Sequence, residues 1–156
     1  MAHNISGLVA HRETIGQLKG VLAQQPHFGL AEGFRFLPLD HENLPDIVGL
    51  APGETMHPFN RLTTPLIDVL RAGSEDCTFI YVETDYFGSG GQGAVVFRRG
   101  RIRFGPEFTQ GRGGAINDAL AWLGVTVRPP CVDAFETIGL TRARHNDGFP
   151  VDDMSA

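Results

Sequence analysis

The residues with the clearest chemical potential lie in one short stretch, where two acidic side chains precede a glycine-rich loop. Gly88, Gly90 and Gly93 match the G-x-G-x-x-G spacing of a phosphate-binding loop. Glu83 and Asp85 lie two residues apart in a predicted strand, so their side chains point to the same face. This combination is compatible with nucleotide binding, acid–base catalysis or metal binding, and each of these requires further residues.

The sequence around the glycine loop lacks the further residues that nucleotide chemistry needs. A dinucleotide-binding loop opens a helix, whereas the run at 94–97 contains Val95 and Val96 and is typical of a strand. A protein kinase needs a lysine on the next strand, and the only lysine is Lys19, far upstream. We therefore predict a strand–loop–strand connection whose glycines permit positive φ. The alternative hypothesis is a small enzyme or anion-binding domain that uses the Gly88–Gly93 loop with Glu83 and Asp85.

Histidine and cysteine residues show none of the spacings that define metal sites or activated nucleophiles. The six histidines include no H-x-x-x-H pair, and neither Cys77 nor Cys131 has a C-x-x-C partner. A G-x-S-x-G nucleophile motif is also missing. We therefore predict a protein without enzymatic activity, metal or cofactor.

Charge is distributed unevenly along the chain, whose formal net charge is −5. Residues 40–60 contain no lysine or arginine, and we call the stretch from Asp40 to Glu54 the acidic segment. Nucleic-acid-binding proteins usually carry a basic excess, so this composition favours a protein partner. No apolar run is long enough for a membrane helix, and residues 1–4 do not begin a secretory signal, so we expect a cytoplasmic protein.

We predict that a partner protein binds to the acidic segment and to the rim of the glycine loop. The predicted binding residues are Asp40, Glu42, Asp46, Glu54, Glu83, Asp85, Tyr86 and Gln92. Acidic side chains speed association with a basic partner, and exposed aromatic side chains at loop edges are enriched in interfaces.

Hydrophobic periodicity predicts the elements that position these residues. Strands are predicted at 4–10, 33–37, 78–86, 94–98 and 101–104, and helices at 13–24, 44–50, 61–72, 114–123 and 132–138. A tight turn at Arg99-Gly100 places Phe97 opposite Ile102 and Val95 opposite Phe104, with these side chains on one face of the sheet. The order predicts one α+β domain over 1–150, a mainly antiparallel sheet with helices packed on one face. A disordered tail is expected at 151–156.

Three blocks of the sequence resemble a group of small bacterial proteins of unassigned activity. The blocks are YVETDYFG at 81–88, GAINDAL at 114–120 and DAFETIGL at 133–140. In size, acidity and the lack of enzyme motifs the chain also resembles immunity proteins that neutralise bacterial toxins. This second resemblance implies a binding module that occludes the active site of a cognate toxin. A structural or oligomeric accessory protein is a second alternative.

Overall fold

Six strands form one antiparallel sheet in the computed structural model, which describes residues 4–49, 53–85, 90–111, 114–142 and 146. The strands are β1 (Ser6–His11), β2 (Phe28–Gly29), β3 (Phe34–Pro38), β4 (Thr78–Asp85), β5 (Gly91–Arg98) and β6 (Arg101–Gln110). Their order across the sheet is β2-β3-β1-β4-β5-β6, and every neighbouring pair is antiparallel. This confirms the predicted α+β class. The tail at 151–156 lies outside the described residues.

Helices cover both faces of the sheet, rather than the one face predicted from the sequence. They are α1 (Arg12–Ile15), α2 (Leu44–Val48), α3 (Thr64–Gly73), α4 (Ala115–Trp122) and α5 (Ala134–Thr137), with 3-10 turns at Gly20–Gln24, Ala31–Gly33 and Leu140–Arg142. The core under α4 and α5 includes Ile80 and Val82, whereas the core under α1, α2 and α3 includes Phe79 and Tyr81. Because β4 is apolar on both faces, each face needs its own cover.

The helix predicted at 13–24 is two short segments, α1 and the turn at Gly20–Gln24. Gly20 has φ +66°, a left-handed conformation that interrupts a right-handed helix and suits glycine. The apolar residues Ile15, Leu18 and Leu22, whose spacing is typical of one helix face, are nevertheless all buried. The hydrophobic spacing thus identified the buried side chains without revealing the break between them.

The β5–β6 hairpin turns at Arg99 and Gly100, both with positive φ, as predicted for a two-residue turn. Phe97 pairs with Ile102 as predicted, but Phe104 lies opposite Val96 rather than Val95. This register shift is a bulge, and it turns Phe104 toward the α4 face while Ile102 packs on the opposite face. The predicted common face for these two side chains was therefore wrong.

Candidate functional site

The carboxylate of Glu83 organises the segment that leads into α3. Its Oε1 accepts a hydrogen bond from the Asn60 amide at 2.7 Å. Its Oε2 accepts hydrogen bonds from the amides of Arg61 and Leu62, both at 3.0 Å, and from the Tyr81 hydroxyl at 2.6 Å. Glu83 is only 2% exposed, so these four donors replace water around its carboxylate.

This arrangement corrects the predicted role of Glu83 as a partner-binding residue at an exposed rim. Glu83 shares a face with Tyr81, because the two residues lie two positions apart in β4. That face is covered, because Phe59 packs against Tyr81 with their ring centroids 6.4 Å apart. Glu83 therefore positions the loop before α3 and does not present its side chain to a partner.

The hydroxyl of Tyr81 is held in its neutral form. Complete burial raises the pKa of Tyr81 well above its ordinary value, and the negative charge and hydrogen bond of Glu83 raise it further. Ionisation of the hydroxyl would place a second negative charge beside the buried carboxylate. The pair is thus suited to a structural hydrogen bond at neutral pH.

The start of the acidic segment is held by side-chain amides. Asn146 bonds the backbone of Ser6 twice, accepting from its N–H and donating to its carbonyl, both at 2.9 Å. It also donates to Oδ2 of Asp40 at 2.9 Å, while Oδ1 of Asp40 accepts from the Glu42 amide at 3.0 Å. Asn43 adds a bond to the carbonyl of Pro38 at 2.8 Å. Asp40 is therefore half-buried and serves the framework of the segment.

Three of the predicted binding residues, Glu42, Asp46 and Glu54, are exposed to solvent. Each is a sequence neighbour of a residue that lines a groove of about 350 Å³. Glu42 follows His41, Asp46 follows Pro45, and Glu54 lies between Gly53 and Thr55. The groove lies between α2 and the segment leading into α3, and its surface is mostly apolar. Three exposed acids therefore flank, in sequence, residues that line a preformed concave surface, and we call these three acids the acidic border.

The glycine loop is a strand connection, and its glycines have two different purposes. Gly90 has φ +77°, and its N–H donates to the carbonyl of Asp85 at 2.8 Å. Gly93 lies within β5, where an added Cβ would lie 2.3 Å from Phe59 and 2.8 Å from Phe108. The prediction that positive φ explains the glycines thus holds for Gly90, whereas Gly93 provides space for aromatic rings. Gly88 lies outside the described residues.

The remaining predicted residues of the loop rim divide between the interior and the surface. Gln92 is buried, accepts from the Ile116 amide at 2.8 Å and donates to the Gly111 carbonyl at 3.0 Å. It joins β5 to the start of α4, which corrects its predicted place on the partner surface. Asp85 is half-buried and accepts a bond from the Asn60 side chain at 3.1 Å. Tyr86 lies outside the described residues.

The sequence patterns did not point to two residues that matter to this region. Arg61 lines the groove and donates from Nη1 to the Ser6 hydroxyl at 3.0 Å. Asn146 joins the C-terminal part of the chain to β1, a contact across 140 positions. Neither residue belongs to a motif, so no sequence signal identified them.

Comparison of the chain with protein-family models, curated proteins and solved structures finds no significant match. Within the described parts of the chain, no helix is long and apolar enough to cross a membrane. The same parts contain no group of three or more histidine, cysteine, aspartate or glutamate side chains placed to hold a metal ion. A function must therefore be argued from the geometry of the site itself.

Proposed function

We propose that this protein is a non-enzymatic binding module that presents the acidic segment to a basic surface of a partner protein. In its most specific form, the partner is a bacterial toxin and the module is an immunity protein that covers the toxin's active site. The observation that supports this function is the exposed border of Glu42, Asp46 and Glu54 beside a preformed groove.

The hydrogen bonds at the start of the acidic segment and before α3 favour binding, because a partner need not order these two parts of the chain. Asp40 is held by Asn146, and the segment before α3 is held by Glu83. A surface that is already ordered loses less conformational entropy when it binds. The buried polar contacts thus contribute to affinity without touching the partner.

Charge determines the kind of partner that fits this surface. The acidic segment contains no lysine or arginine in the sequence, so its field is not locally neutralised by its own residues. Such a surface accelerates encounter with a basic cleft, including one shaped to bind nucleic acid, by about 10- to 1,000-fold at low salt. The alternative that uses Glu83 as an acid–base group has less support, because four internal donors already occupy its carboxylate.

Charge reversal at the border, once a partner has been isolated, tests the proposal. The triple variant Glu42→Lys, Asp46→Lys, Glu54→Lys is compared with Glu13→Lys, Glu107→Lys, Asp118→Lys, which makes the same change in net charge at other exposed acids. We expect the first variant to weaken binding by about tenfold or more and the control by about twofold or less. Equal effects of the two variants would remove the acidic segment from the interface.

A further inference from the structure

Arg61 introduces a positive charge into the groove beside the acidic segment. It is the only lysine or arginine among the described residues that line the groove. Most of the groove's surface is apolar, although half of the other lining residues have polar side chains, namely His41, Thr55, Asn60 and Thr63. The charge of Arg61 also acts on the buried Tyr81 hydroxyl, which bonds to the Glu83 carboxylate, so that carboxylate balances part of the positive charge. An anionic group in the groove would pair with the guanidinium donors that face it.

The position of Arg61 is fixed from two sides. Its backbone amide donates to Glu83 at 3.0 Å, and its Nη1 donates to the hydroxyl of Ser6 at 3.0 Å. Ser6 in turn donates to the carbonyl of Leu39 at 2.6 Å, so its hydroxyl is oriented to accept from the arginine. Within the described chain, the other nitrogens of the guanidinium have no hydrogen-bond partner, and Arg61 is half-buried. Donors therefore remain available for a ligand.

The shape and charge of the groove define the class of ligand. A volume of about 350 Å³ suits a small molecule, and the apolar lining suits a hydrocarbon or aromatic body. The planar guanidinium matches a carboxylate, which it binds through two parallel hydrogen bonds.

The acidic border selects against larger negative charge. Glu42, Asp46 and Glu54 repel an approaching anion, although salt screens such exposed charges beyond about 10 Å. A single carboxylate in direct contact with Arg61 tolerates this repulsion better than a phosphate that carries two charges. The acidic border therefore disfavours a dianion more strongly than a monoanion.

We propose that the groove binds a small apolar molecule with one carboxylate group, and that Arg61 pairs with that carboxylate. This site does not depend on the protein partner proposed above, so either proposal can fail without the other. Phenylacetate is a suitable probe, and phenylacetamide is its neutral match in shape. The two are titrated into the full-length protein and followed by amide chemical shifts.

Phenylacetate is expected to bind with a dissociation constant of about 1 mM, as fragments of this size do, and to shift the amides of Asn60 and Arg61. Phenylacetamide should bind about tenfold more weakly, because it lacks the charge that pairs with the guanidinium. Arg61→Gln should abolish this preference, whereas Arg71→Gln, a change at an exposed arginine away from the groove, should retain it.

A second variant guards against misfolding of Arg61→Gln. Thr55→Trp fills the groove and keeps Arg61 with its bonds to Glu83 and Ser6, so it should abolish binding of both probes. Equal binding of acid and amide to the wild-type protein would overturn the proposal. Failure of phenylacetate to bind at all, or unchanged binding to Thr55→Trp, would overturn it as well.

Discussion

Truncation of Glu83 is the perturbation that most directly examines how the site is built. Glu83→Ala leaves three backbone amides and the Tyr81 hydroxyl without their acceptor in a covered part of the protein. Each unsatisfied buried donor costs about 1–3 kcal/mol, and water reaches Asn60, which is exposed, so the sum is smaller than four full penalties. We expect the free energy of unfolding to fall by about 3–5 kcal/mol, a large part of the total of a domain this size.

The isosteric change Glu83→Gln should cost less, for a geometrical reason. Oε1 accepts one bond and Oε2 accepts three, so a glutamine that keeps its oxygen at the Oε2 position retains three of the four contacts. Its amide group then opposes only the N–H of Asn60, and we expect a loss of about 1–2 kcal/mol.

Urea denaturation, followed by the fluorescence of Trp122, the only tryptophan, measures these differences. With a typical urea dependence, Glu83→Ala should lower the midpoint by about 2 M. The matched control is Glu107→Ala, which removes an exposed glutamate from β6 and should change stability by about 0.5 kcal/mol or less. A Glu83→Ala variant as stable as Glu107→Ala would refute the structural role of the carboxylate.

Three further predictions concern the surrounding framework. Because the pKa of Tyr81 is raised in the folded protein, the unfolded chain releases this proton first as pH rises above about 10. Above that pH, the free energy of unfolding of the wild-type protein should fall by about 1 kcal/mol per pH unit more than that of Tyr81→Phe. Parallel curves of stability against pH for the two proteins would contradict this. Gly93→Ala should destabilise the protein by about 1–3 kcal/mol in thermal denaturation, because the new Cβ meets the rings of Phe59 and Phe108. The control Gly16→Ala, whose Cβ meets no atom closer than 3.5 Å, should leave stability nearly unchanged. Similar melting temperatures for the two variants would contradict the steric explanation. Asn146→Ala should lower the free energy of unfolding in urea by about 2 kcal/mol, since it removes two hydrogen bonds to Ser6 and one to Asp40. An unchanged urea midpoint would show that these bonds do not hold the start of the acidic segment.

The fold class was predictable because it depends on local patterns. The apolar, β-branched stretch of β4 and the turn at Arg99-Gly100 each specify their structure within a few residues. The cover on both faces was not predicted, although β4 is apolar on both faces and a strand of this kind must be buried on both. The bulge that separates Phe104 from its predicted partner has no such local signal.

The candidate site was less predictable because it depends on contacts between distant residues. The sequence around Glu83 would be the same for a covered and for a solvent-exposed side chain. The packing of Phe59 against Tyr81, which covers this face, is visible only in the structure. Gly93 resembles a phosphate-loop glycine until Phe59 and Phe108 are placed beside it. The acids of the acidic segment were identified correctly as a charged stretch, and the structure separates Asp40, which supports the framework, from Glu42, Asp46 and Glu54, which are exposed.

The salt dependence of association with the isolated partner is the most direct test of the central claim that the acidic segment recognises a basic surface. The Debye length, over which charges attract each other, is about 30 Å at 0.01 M salt and about 10 Å at 0.1 M salt. The association rate of the wild-type protein should therefore fall steeply across this range. The Glu42→Lys, Asp46→Lys, Glu54→Lys variant should start lower and lose this decline, with dissociation changed less. A wild-type rate that does not respond to salt, or a variant with the same salt dependence as the wild type, would contradict the account.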